Sequence, residues 1–265
     1  MKRIALWMFV GWGVWAGAEA ARGAEKIPTA AQVASPTQQA LDQAASQGKY
    51  TFLVFYREDN PTTRAMGGVV AASVKKNASA STMVWVPTTS PQEQAVVSRF
   101  GASRSPLPMT IAVAPNGAIM GVFSQKVTTE QIEGSFATPV MMHCMKALQE
   151  GKLAFVCVQS AQGSPLPAAV NDFRADPDFK NRTAVITVAA TDTAETDFYQ
   201  QMQIDAAKVR GTTVVVFAPP SAMVGKFDGA ATKAQIIAAL HKAGKCCDDP
   251  NCKHGQAAAP AATKR

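Results

Sequence analysis

The sequence predicts an α/β protein of two tandem domains, each a mixed central sheet flanked by helices. Two observations carry that prediction: a long-range internal repeat, and the same succession of helical and strand patterns inside each copy. The repeat has a period of about 103 residues, far longer than a solenoid unit and the right size for a duplicated domain. Gly48-Lys49-Tyr50-Thr51-Phe52-Leu53-Val54-Phe55 aligns with Gly151-Lys152-Leu153-Ala154-Phe155-Val156-Cys157-Val158. At nearly the same offset Ala114-Pro115 aligns with Ala218-Pro219, Gly121 with Gly225, Phe123 with Phe227, and Gln131-Ile132 with Gln235-Ile236.

Within each copy the order reads α-β-α-β-α-β-β-α. An amphipathic helix comes first, 37–47 or 140–149, followed by a buried strand at 51–56 or 153–158 that is a continuous apolar run with polar ends. A second helix spans 61–76 or 165–174, with Pro61 or Pro165 suited to its first turn. Strands at 82–86 and 183–189 lead to a third helix at 91–100 or 193–203, and Ser90-Pro91-Gln92-Glu93 reads as its cap, first-turn proline and early acid. Two closely spaced strands follow, 109–114 with 118–123 and 213–218 with 223–227; Asn116-Gly117 between the first pair is a hairpin signal. A last helix starts at Thr128 or Thr232. The early strands, joined through helices, should be parallel and the hairpin antiparallel.

The domain plan is therefore a signal peptide at 1–24, a leader at 25–36, domains at 37–138 and 139–243, and a tail at 244–265. Lys2 and Arg3 precede an apolar stretch from Ile4 to Ala18, and small residues at 16–20 and 22–24 provide cleavage sites. The apolar run is shorter than the ~20 residues of a spanning helix, so cleavage and export to the periplasm or outside the cell are expected, with no integral membrane segment left. No cysteine lies near the cleavage region, which excludes a lipid anchor on a processed Cys.

Of the 265 residues 47% are hydrophobic and only 17% charged, which excludes a disordered polyampholyte, a collagen and a coiled coil. The formal charge is +7, yet the 26 Lys and Arg are scattered, so the clustered patch of a nucleic-acid binder is missing. No phosphate-cradling loop, dinucleotide fingerprint, nucleophile elbow or His-Glu-x-x-His occurs.

The segment Thr51 to Tyr56 followed by Asp59-Asn60-Pro61-Thr62, together with Leu107-Pro108-Met109-Thr110-Ile111-Ala112-Val113-Ala114-Pro115-Asn116-Gly117, resembles the thioredoxin-like superfamily. The first segment is similar to that family's central strand and Cys-Gly-Pro-Cys loop, the second to its cis-proline strand and hairpin. Pro61 matches the motif's proline, whereas Asp59 and Thr62 stand in both cysteine positions and Glu58 where the family has Trp. In the second copy Val209 to Phe217 resembles the proline segment with Thr212 or Thr213 in place of proline, and the loop 159–165 has no cysteine. The resemblance implies the fold and a peptide groove around Asp59, Asn60, Pro61, Thr62 and Pro108. It does not carry the chemistry over, because thiol-disulfide exchange needs an attacking thiolate and a resolving thiol. Asp59 is expected to cap the following helix and Thr62 to sit in its first turn.

Five cysteines remain to be placed. Cys144, on a stripe with Val140, Met141, Met145 and Leu148, and Cys157, in the central strand, are expected as buried free thiols, with a Cys144–Cys157 disulfide as the alternative. His143 is expected at the surface. Cys246, Cys247, Cys252 and His254 crowd the tail. They suit either a disulfide loop such as Cys247–Cys252, with Cys246 free for an intermolecular bridge to a second copy, or a zinc or Cu(I) site to which His241 could add a ligand. The leading expectation is a redox-inactive binding or scaffold module for a protein or peptide, not an enzyme and without cofactor. Its rival is a thiol- or metal-handling protein working through the tail, and an enzymatic use of Asp59 and Thr62 around Pro108 ranks behind both.

Overall fold

The computed structural model describes residues 35–161 and 163–244. The predicted signal peptide, the leader up to residue 34, and Cys246, Cys247, Cys252 and His254 lie outside the described residues.

The first helix, α1 (Pro36–Ser46), starts where Ser35 Oγ accepts from the Gln38 amide at 2.9 Å, with Pro36 in the first helical position. It stops before Gly48, whose φ of +68° turns the chain into β1 (Tyr50–Tyr56). Next come α2 (Pro61–Lys76), β2 (Ser81–Pro87), α3 (Gln94–Arg99), β3 (Met109–Val113), β4 (Ile119–Ser124) and α4 (Thr129–Glu133). The second half repeats the series: α5 (Pro139–Gln149), β5 (Leu153–Gln159), α6 (Ala168–Ala175), β6 (Thr183–Ala189), α7 (Thr196–Gln201), β7 (Thr212–Ala218), β8 (Ala222–Asp228) and α8 (Lys233–Lys242). Each half forms one four-stranded sheet, ordered β2-β1-β3-β4 and β6-β5-β7-β8. The first two strands of each half run parallel and the hairpin antiparallel, while β3 and β7, though reached through a helix, pair antiparallel with β1 and β5. Thr128 and Thr232 open α4 and α8 with matching capping boxes closed by Gln131 and Gln235, which accounts for that repeated Gln-Ile pair.

Helices cover both faces of each sheet, so the central strands are buried, Tyr56 at the end of β1 only partly, and read as largely apolar runs. Successive residues of β5 supply opposite layers. Ala154, Val156 and Val158 pack with Val140, Cys144 and Leu148 of α5 and Phe198 of α7. Leu153, Phe155 and Cys157 pack with Val170 and Phe173 of α6 and Ile236 and Leu240 of α8. Cys144 and Cys157 therefore lie on opposite sides of the sheet as buried free thiols, which overturns the disulfide alternative between them. Both halves lie within one compact unit. Helix α5 serves both of them: Val140, Cys144 and Leu148 enter the second core, while Met142 and Met145 pack against the first. Gln149 adds a paired contact, accepting from the Ile119 amide at 2.9 Å and donating to its carbonyl at 2.7 Å.

Three local expectations are corrected. Asp59 does not cap α2; Asn60, immediately before Pro61, does, its Oδ1 accepting from the Thr63 amide at 3.0 Å. The second helix of the second half begins at Ala168 after Pro167, not at Pro165. The third helix of each half is split into a 3-10 turn, Pro91–Glu93 or Thr193–Glu195, and the short α3 or α7. Ser90 precedes the first of these turns without making a capping bond.

Those turns direct Glu93 and Glu195 inward, where both are buried. Glu93 Oε1 accepts from the Thr37 amide at 3.2 Å and Glu195 Oε1 from the Val140 amide at 2.8 Å. Each carboxylate thus satisfies a free amide at the start of α1 or α5 and opposes the positive end of the helix dipole. Glu93→Ala or Glu195→Ala is expected to lower unfolding free energy by about 1–3 kcal/mol. The Gln replacements, which keep the accepting oxygen, should cost less; urea midpoints followed by circular dichroism would show it.

Candidate functional site

The loop after β1 carries the candidate groove. Asp59 is exposed and pairs with Arg64, Nε to Oδ1 at 2.8 Å, and that hydrogen bond holds its carboxyl below the usual range. Asn60 caps α2, Pro61 takes the first helical position and Thr62 the second, exposed. Thr63 is buried, its hydroxyl donating to the Glu58 carbonyl at 2.9 Å. Across from this loop the Leu107–Pro108 peptide is cis and Pro108 is buried. A recess of about 340 Å³ lies between them, lined by Arg57, Glu58, Asn60 and Thr63 on one side and residues 105–108 on the other. Asn60 and Pro108 thus share one recess, while Asp59 turns to an adjoining hollow with Tyr56 and Trp85. The Trp85 ring, 5.6 Å from Tyr56 and nearly perpendicular to it, fits over Gly67 of α2, where any side chain would collide with it. The sequence reading did not single out this half-exposed tryptophan, although an apolar ring on an edge strand above a helix glycine was available as a signal.

Strand register settles the counterpart of Pro108. Met109 pairs with Phe55 and Thr213 with Val158, so Thr212 occupies the proline position. The cis peptide bonds among the described residues are Leu107–Pro108 and Pro219–Pro220, and the bond before Thr212 is not one of them. The two halves also use the preceding backbone differently. In the second half the Gly211 carbonyl accepts from the Ser160 amide at 2.8 Å, closing the loop onto the strand. In the first half the backbone N–H and C=O of Leu107 have no partner among the described residues.

Strand order, the helix after the first strand and the cis-proline facing its start now stand together. Both halves have the thioredoxin-like fold. No family model matches the chain, and no curated protein matches it. Among solved structures it is similar to human ERp44 form II, at 12% identity and a TM-score of 0.35, over 79% of this chain and 56% of that one. It is also similar to the disulphide isomerase from Xylella fastidiosa Temecula1, at 17% identity and a TM-score of 0.27, over 37% and 74% of the two chains. The N-terminal domain of the alkylhydroperoxide reductase AhpF from Enterococcus faecalis matches at 12% identity and a TM-score of 0.28, over 77% and 97%. The chain spans little more than half of ERp44; the fold rests on the topology.

Neither thiol in the described residues is placed for exchange. Burial pushes both Cys144 and Cys157 up to about 12, and Glu195 adds to the effect at Cys144. Among the described residues no group of His, Cys, Asp and Glu could hold a metal ion, and no helix is long and apolar enough to cross a membrane. His143 is exposed, as expected.

Proposed function

We propose that this chain is an exported, redox-inactive binding module of two domains, at 37–138 and 139–243, whose first domain takes an extended peptide in the recess beside Pro108. The reading is supported above all by the unpartnered amide and carbonyl of Leu107, which border the Asn60–Pro108 recess and have the form of a free strand edge. An extended segment would use its own backbone to satisfy both groups, while Arg57, Glu58, Asn60 and Ser105 meet its side chains. Among the described residues nothing reactive is positioned there: Asp59 is held by Arg64 and Thr62 is exposed in the first turn. The chemistry is recognition without exchange.

The test uses alkylated, unfolded insulin B chain as a cysteine-blocked extended probe, followed by fluorescence anisotropy. Leu107→Pro removes the amide donor and Ser105→Trp fills the recess; each is expected to weaken binding at least about tenfold. Undiminished affinity in both variants would refute the reading. Insulin reduction should be absent throughout, and reductase activity that persists after Cys246→Ser, Cys247→Ser and Cys252→Ser would contradict it too.

A further inference from the structure

The duplication provides an internal control for a second site. A cavity of about 560 Å³ opens in the second half between the start of α5 and the ends of β5 and β6. The carboxyl-end side of the strands is the side of an open α/β sheet on which ligands bind. Glu195 lines this cavity and is 1% exposed; its Oε1 serves the Val140 amide, while Oε2 is buried with no partner among the described residues. A buried carboxylate oxygen without a donor is costly unless something charged or polar reaches it.

Glu93 has the same arrangement in the first half, so the helix-capping bond alone makes no site. What differs is the surrounding. The register that equates Tyr56 with Gln159 and the matching turns that equate Glu93 with Glu195 also equate Ala40 with His143 and Ser90 with Asp192. Three positions that are neutral in the first half, two of them carrying a methyl and a large ring, have become an amide, an imidazole and a carboxylate. All three line the cavity around Glu195. Gln159 is buried and its Nε2 is fixed on the Ser164 carbonyl at 2.6 Å. Asp192 keeps one oxygen on the Ala194 amide at 3.0 Å. Among the described residues no Lys or Arg lines the cavity, in a chain whose formal charge is +7. The start of α5 does not offset this acidity, because its free amides are already taken up by Glu195 and by the Thr138 hydroxyl. Ile186, Val188 and Leu166 make up an apolar wall beside the carboxylates.

We propose that this cavity binds an organic cation, an ammonium or guanidinium group on a short apolar stem. The head lies against Glu195 and Asp192 and the stem against Ile186, Val188 and Leu166. The same head is presented by a small free amine and by a Lys or Arg side chain of a partner protein.

Nuclear magnetic resonance titration of the full chain with n-butylammonium, n-butylguanidinium and the neutral n-butanol tests this. Saturable shifts of the Val140, Gln159 and Glu195 amides are expected with both cations and not with the alcohol. Glu195→Gln, which keeps the bond to Val140, and Asp192→Asn, which keeps the bond to Ala194, should each weaken the cations about tenfold. Glu93→Gln, the matching change in the first half, should leave affinity unchanged, which a purely structural effect of a buried glutamate would not predict. If Glu195→Gln does not fold, Asp192→Asn alone decides. A capped lysine tripeptide binding more tightly than n-butylammonium would assign the cation to a partner protein, and the reverse order to a free amine. Equal shifts with n-butanol, no saturable response, or full affinity in Asp192→Asn would overturn the proposal.

Discussion

With the three tail cysteines replaced by serine, Cys144 and Cys157 are expected to resist alkylation in the native protein and to react promptly once it is unfolded. Both are 0% exposed, and burial pushes their thiols up to about 12. The reacting species is the thiolate. Against an ordinary value near 9, ionisation alone lowers the reactive fraction about a thousandfold at pH 8. Steric exclusion adds to that, so modification must wait for opening of the fold. Iodoacetamide labelling followed by mass spectrometry, with and without guanidinium, measures it. Rapid native labelling of either residue would mean that its core is not closed, and the claim that the domains have no usable thiol would fall with it. Labelling should quicken as pH rises in both states, toward the ordinary value near 9 in the unfolded chain and toward the burial-raised value in the folded one.

The second large effect is on stability. Phe173 is fully buried in α6, with the rings of Phe155 and Phe179 each 4.9 Å away and the Lys233 ammonium 5.7 Å above its face. It joins β5, α6 and α8 in one layer, and Lys233 is tied there by its ion pair with Asp176. Phe173→Ala removes a ring that three elements share. An expected loss of about 3–5 kcal/mol is a large part of the ~5–15 kcal/mol that holds an ordinary domain together. Denaturant midpoints should drop accordingly. A loss under about 1 kcal/mol would show that the layer is loosely packed.

Much of this was legible in the residues. The buried strands announced themselves as apolar runs, the hairpin at Asn116-Gly117 as turn chemistry, and the last helices as Thr followed three residues later by Gln. The repeated Gly-x-Phe at 121–123 and 225–227 has a steric meaning: each phenylalanine ring lies over the glycine two residues before it, where a Cβ would clash with the ring at Gly121 and crowd it at Gly225. Other features were misread or hidden for identifiable reasons. The cap of α2 was legible but misread: a helix that opens at Pro61 makes Asn60, not Asp59, the residue before its first turn. A buried glutamate has the same letter as a surface one; only comparison of the copies, with Glu at both 93 and 195, could have hinted that it faces inward. The unpartnered backbone of Leu107 was beyond the sequence altogether, because it depends on what Arg57 and Ser160 do differently in the two loops.

Helix α5 gives the duplication a lasting constraint. One face of it completes the second half and another closes the first, and Gln149 holds on to Ile119 from across the join. Cutting the gene at its apparent seam would take away a wall from one product and leave exposed methionines on the other. The two copies have thus come to share one wall, and neither is closed without it.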